Sequence, residues 1–136
     1  MTDLDLLEKK LAFVESCVSE LRRLAVADKI DSDVKERRFI EHTLQLAIQA
    51  CLDAASHVVS DHRLGEPSTT RELFTLLARA GRLSQELAQK LSAAAGFRNI
   101  LVHGYAEVDS RVTRDVLENH LGDLLAFAAE LRGQRG

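Results

Sequence analysis

The sequence has no tryptophan, one tyrosine, one methionine, one proline and two cysteines in 136 residues. Two cysteines cannot make a disulfide framework, so an apolar core must hold the fold. Cys17 and Cys51 both lie in apolar helical patterns, where a reduced thiol acts as a small hydrophobe. That usage points to a reducing, cytoplasmic setting. The lone proline, Pro67, leaves long helices uninterrupted elsewhere. Alternating β-branched and aromatic runs are nearly absent, which argues against sheets. No run approaches the ~18 apolar residues of a membrane span. The start, MTDLDLLEKK, places acids before bases and lacks the apolar stretch of a signal peptide. An excess of positive charge is missing too. Lys plus Arg is 18 and Asp plus Glu is 21, a net charge of −3. A wholly basic nucleic-acid coat is excluded, and any RNA site must be a local patch.

What is present is helical periodicity over a length that suits one domain, residues 1–136. Leu4, Leu7, Leu11, Val14, Val18, Leu21 and Ala25 predict a first helix from about Asp3 to Ala27. Asp31 and Ser32 offer the N-cap of a second, which runs to about Val59. Its seam is Ile40, Leu44, Ala47, Cys51 and Val58, widened by Ile48, Leu52 and Ala55. Gly65 and Pro67 mark a loop. Thr69 and Glu72 suggest a capping box for a short third helix that Gly81 ends. Ser84 caps a fourth helix that reaches His103 and stops at Gly104. Leu117, Leu121, Leu124, Ala128 and Leu131 predict one last helix from about Thr113 to Leu131. The sum is an all-α fold, an antiparallel four-helix bundle with an additional short helix.

The pattern breaks in the fourth helix. Its apolar stripe is Leu87, Leu91, Ala94 and Leu101, and the missing member is Arg98. At 100° per residue Arg98 points within about 20–30° of the stripe's centre. A charge there needs an ion-pair partner or a cleft. The opposite face, Ser92, Gly96, Asn99 and His103, suits either solvent or the close approach of a second protomer. The run RNILVHGY gathers Arg98, Asn99, His103, Gly104 and Tyr105. A guanidinium can hold a phosphate through two parallel hydrogen bonds. An imidazole can give or take a proton near neutral pH. Together they can cleave RNA without metal, with His103 as acid/base and Arg98 stabilising the developing phosphorane charge. On a straight helix the two side chains point about 140° apart, so a helix end or a second subunit must bring the groups together.

These residues resemble the HepT-like branch of the HEPN superfamily, the toxin half of type VII HEPN/MNT toxin–antitoxin pairs. The family signature, R-x-x-x-x-H-x-Y, is carried here by Arg98, His103 and Tyr105. The stretches RRFIEHTLQLAIQACLDAASHVV, GEPSTTRELFTLLARAGRLSQELAQKL and AAGFRNILVHGYAEVD also read like the family, so the resemblance covers most of the chain from about Asp33. It implies a HEPN-like helical bundle that pairs as a homodimer, with both motif copies near a shared cleft. It implies a metal-independent endoribonuclease that needs no cofactor and attacks RNA such as tRNA. It further implies an MNT-type nucleotidyltransferase antitoxin that neutralises the toxin by moving AMP onto Tyr105. Bulky anionic AMP would block a cleft meant for RNA phosphate.

Other residues carry weaker signals. Arg22, Arg23, Lys29, Lys35, Arg37 and Arg38 could form a local basic patch, although Arg37 and Arg38 read more simply as solvated charge. Asp53 and His57 are candidates for supporting the cleft from the second helix. His57, Asp61 and His62 lack a further ligand at helical spacing, so no metal site is expected. His42 and His120 read as helix-face residues. Two other functions compete with the nuclease. One is a non-catalytic, nucleotide-binding subunit of a nucleotidyltransferase complex. The other is a structural dimerisation module in which Arg98 is a core ion pair.

Overall fold

The computed structural model describes residues 3–133, and all regular structure among them is helical. Helix α1 (Leu4–Leu24) begins at Asp3, whose carboxylate accepts the Leu6 amide at 3.1 Å. Leu7, Leu11, Val14, Val18 and Leu21 form its buried stripe. The helix ends three residues before the expected Ala27. Val26 is extended there, and the Glu36 carboxylate accepts its amide at 3.1 Å in place of a helical carbonyl. Ala27–Lys29 then makes a single 3₁₀ turn.

Helix α2 (Val34–Asp61) is capped by Asp33, not by Asp31 or Ser32. One Asp33 oxygen accepts from the amides of Lys35 at 2.9 Å and Glu36 at 3.3 Å. This helix is the spine of the fold and touches α1 and every helix after it. Its buried face carries the expected seam and its widening residues, together with one acid, Glu41.

Helix α3 (Glu72–Arg79) follows the loop. Glu72 does reach back, but to Ser68 and not to Thr69, accepting the hydroxyl at 2.6 Å and the amide at 3.3 Å. Gly81, at φ +73°, ends it. The Arg82 amide donates to the Leu77 carbonyl and the Gly81 amide to that of Ala78, a Schellman closure that needs a left-handed residue. Helix α4 (Gln85–His103) starts as expected, with Ser84 Oγ accepting the Leu87 amide at 3.3 Å.

The last expected helix is two helices, α5 (Ser110–Asn119) and α6 (Leu121–Arg132). Asp109 caps α5 earlier than Thr113. The break falls at His120, which leaves the helical region and is held between Asp115 at 3.2 Å and Asp123 at 2.9 Å. Asn119, His120 and Gly122 are all weak helix formers, and their clustering lets these local bonds win. Helices α1, α2, α4 and the α5–α6 arm form the bundle, with α3 laid against α4 and α2. Fully buried Phe74 and Phe127 meet edge to face at 5.7 Å and join α3 to α6. Arg132 fastens α6 to α1 by forked bonds to Glu8 and Glu15 at 2.8–3.1 Å. No helix among the described residues is long and apolar enough to cross a membrane.

Candidate active site at the end of the fourth helix

The site is built where α4 runs out. Leu87, Leu91 and Leu101 are buried on its core side, and Arg98 projects from the same side. Its Nε is buried without a hydrogen-bond partner. Its Nη1 donates to Asn99 Oδ1 at 3.1 Å. No carboxylate pairs with Arg98 among the described residues, so the core ion pair that a structural module requires is absent. Asn99 therefore turns the guanidinium while leaving most of its five donors unused. His103 is the final residue of α4 and is exposed. Ile100 and Val102, on the turn between them, are 44% and 38% exposed.

Gly104 ends the helix by donating its amide to the Ile100 carbonyl at 2.9 Å. The chain then turns through a 3₁₀ segment, Tyr105–Glu107, which swings Tyr105 against α2. The phenol donates to Glu41 Oε1 at 2.7 Å. Arg38 lies over the ring, 5.8 Å from its centroid. Arg37 Nε stands 4.0 Å from the same Glu41 oxygen. Donation to Glu41 is the main reason that the Tyr105 phenol ionises above its ordinary range, with burial next and the two arginines opposing. Two open cavities of about 300 and 280 Å³ flank Tyr105. Arg37 lines one and Arg38 and His42 the other, while Glu41 faces both.

The sequence missed Glu41 as a site residue and took Arg37 and Arg38 for solvated charge. All three are gathered at Tyr105. A signal for Glu41 was available. It lies three residues before Leu44 and seven before Ile48, on the apolar face of α2, just as Arg98 lies on that of α4.

Asp53 and His57 do not support this site. They sit about 18 and 24 Å along α2 from Glu41, at 1.5 Å per residue. Asp53 accepts from Lys10 at 3.2 Å and Gln49 at 2.8 Å, and His57 Nε2 accepts the Asp3 amide at 3.2 Å. Both stabilise the packing of α1 on α2. Within one chain, Gly96 does not face open solvent. It is buried beneath the Arg71 guanidinium of its own chain, and Ser92 Oγ donates to the Arg71 carbonyl at 3.4 Å.

The sequence matches the family described as ribonuclease HepT-like over residues 11–131. The chain belongs to the HepT-like ribonuclease family. It is 28% identical over 131 residues to the mRNA nuclease HepT of Shewanella oneidensis, covering 96% of this chain and 98% of that one. It is 29% identical over 113 residues to the tRNA nuclease HepT of Aphanizomenon flos-aquae, covering 80% and 77%. Its fold matches the tri-AMPylated Shewanella oneidensis HEPN toxin, solved in complex with an MNT antitoxin, at a TM-score of 0.89. Identity there is 28%, over 98% of this chain and all of that one.

Proposed function

We propose that this HepT-like chain is the toxin of a HEPN/MNT pair, a homodimeric, metal-independent endoribonuclease acting on RNA such as tRNA. The observation that carries the reading is Arg98, a guanidinium on the core side of α4 whose Nε is buried without a partner and which no acid neutralises among the described residues. Such a group is poised for an external anion, and an RNA phosphate is the anion that the family's activity supplies. His103, exposed at the helix end, is the acid/base that moves a proton between the 2′-hydroxyl and the leaving oxygen. Asn99 orients Arg98. The wide angle between Arg98 and His103 on one helix supports a site completed by a second copy, and exposed Ile100 and Val102 supply apolar surface for that pairing. Arg37 and Arg38 add local positive charge to a chain that is acidic as a whole.

In this reading an MNT nucleotidyltransferase silences the toxin by transferring AMP to Tyr105. The half-exposed ring and the adjoining cavities leave room for the group. The test is incubation with the partner nucleotidyltransferase and magnesium-ATP, followed by peptide mapping and an RNA cleavage assay. AMP on the peptide holding Tyr105, with cleavage lost in step, is the expected result. Unmodified Tyr105, or full cleavage by the modified chain, overturns it.

A further inference from the structure

The Tyr105 phenol does not stand free to be modified. It is already engaged by a carboxylate that solvent hardly reaches, Glu41 at 4% exposure, at 2.7 Å. That distance is within the reach required of a general base. We propose that the toxin supplies the base for its own neutralisation: Glu41 takes the Tyr105 proton as the phenol attacks a nucleoside triphosphate. This inference rests on the reading of Tyr105 as the AMP acceptor.

The step balances as follows. Tyr105 Oη attacks the α-phosphorus of ATP held by the partner enzyme. The Oη–phosphorus bond forms, and the bond from that phosphorus to the oxygen bridging to the β-phosphate breaks. Pyrophosphate leaves with the bonding electrons, and the proton passes from Oη to Glu41. In the resting protein the carboxylate holds the phenol neutral, because a second negative charge beside Glu41 is unfavourable. Once Oη bonds to phosphorus its proton becomes strongly acidic, and the carboxylate accepts it readily. Arg37 at 4.0 Å and Arg38 above the ring then face both the protonated acid and the new phosphodiester. Asp31 and His42, which line the two flanking cavities, are the other titratable groups around the pair. The same contact has a structural use, since it ties the 3₁₀ segment to α2, so the test must separate a base from a tether.

Glu41→Gln does so. Its amide oxygen can still accept from the phenol, but it cannot take the proton. The measurement is the initial rate of AMP transfer to Tyr105 by the partner nucleotidyltransferase with saturating magnesium-ATP, across pH 7 to 9. Circular dichroism confirms equal helicity. A base predicts a loss of about 10²–10⁴-fold at neutral pH. It also predicts that the gap to wild type narrows by roughly tenfold per pH unit, as the phenol, with an ordinary pKa near 10, ionises unaided. Glu41→Asp, which keeps a carboxylate, recovers part of the rate. Equal rates for wild type and Glu41→Gln overturn the proposal and leave the AMP reading intact. A constant deficit across pH, unrepaired by aspartate, also overturns it, in favour of a tether. Failure of wild type to accept AMP at all overturns both. A second readout needs no partner. Tyr105 is the only tyrosine and tryptophan is absent, so the ultraviolet phenol titration reports this group alone. Glu41→Gln should lower its midpoint, and an unchanged midpoint overturns the contact.

Discussion

Gly96 offers a test of the packing beneath the site. A Cβ built there would overlap Arg71 Nη2, with the guanidinium carbon next at 2.9 Å. A contact that short must be relieved. The obstacle is the far end of an exposed, flexible side chain, and among the described residues the guanidinium has no ion-pair partner to lose. Arg71 can therefore swing into solvent. Against that small loss stands helix propensity, because alanine within a helix is favoured over glycine by about 0.8–1.0 kcal/mol. If moving Arg71 forfeits a few tenths of that, Gly96→Ala stabilises the protein by about 0.5 kcal/mol. For a chain of this size the melting temperature should rise by roughly 2 °C. Urea and thermal unfolding at fixed protein concentration measure it, the fixed concentration being needed because association adds to apparent stability. In an Arg71→Ala background the obstacle is gone, and the gain should approach about 1 kcal/mol. Destabilisation by more than about 1 kcal/mol in both backgrounds would refute the reasoning. It would mean that something other than Arg71 covers Gly96, and a second protomer would be the first candidate.

Two further outcomes follow from the local geometry. Gly81→Ala forces a side chain into the left-handed region at φ +73° and should destabilise by about 1–2 kcal/mol in chemical denaturation. Arg132→Ala removes the fork that joins α6 to Glu8 and Glu15, and should lower stability by about 1 kcal/mol at neutral pH, as expected of a partly exposed network. Hydrogen bonding to Arg132 holds the Glu15 carboxyl below its usual value of 4.5, so this contribution is present above that value and lost as pH falls through the lower, folded-state one. The wild-type and Arg132→Ala stability curves should therefore converge in acid.

Much of this architecture was legible because burial and helical period agree. The stripes of α1 and α2 predicted most of the buried residues, except that the two ends of the α1 stripe fall outside the core, Leu4 exposed at the first turn and Ala25 only partly buried past the helix end. Ser84 and Gly81 predicted one start and one stop. The failures share a cause. At Val26, Asp33, Ser68 and His120 a side chain satisfies a neighbouring backbone group, or is held by neighbouring acids, and the choice among adjacent candidates depends on geometry that periodicity does not encode. At the site, Arg98 was visible because it interrupts an apolar stripe. Glu41 interrupts one too, but it sits among many charges at the start of α2. Only the turn after Gly104, which carries Tyr105 back onto α2, reveals its partner. Asp53 and His57 were misassigned because sharing a helix with the site says nothing about distance along a 28-residue element.

The most direct test of the nuclease is cleavage of a total tRNA pool by the purified protein in EDTA, beside His103→Ala of equal helicity. Cleavage by wild type and none by His103→Ala is the predicted result. It would establish chemistry without a divalent metal and assign His103 to it. Equal cleavage by both proteins, or none by a wild type whose Tyr105 is unmodified by intact mass, would contradict it.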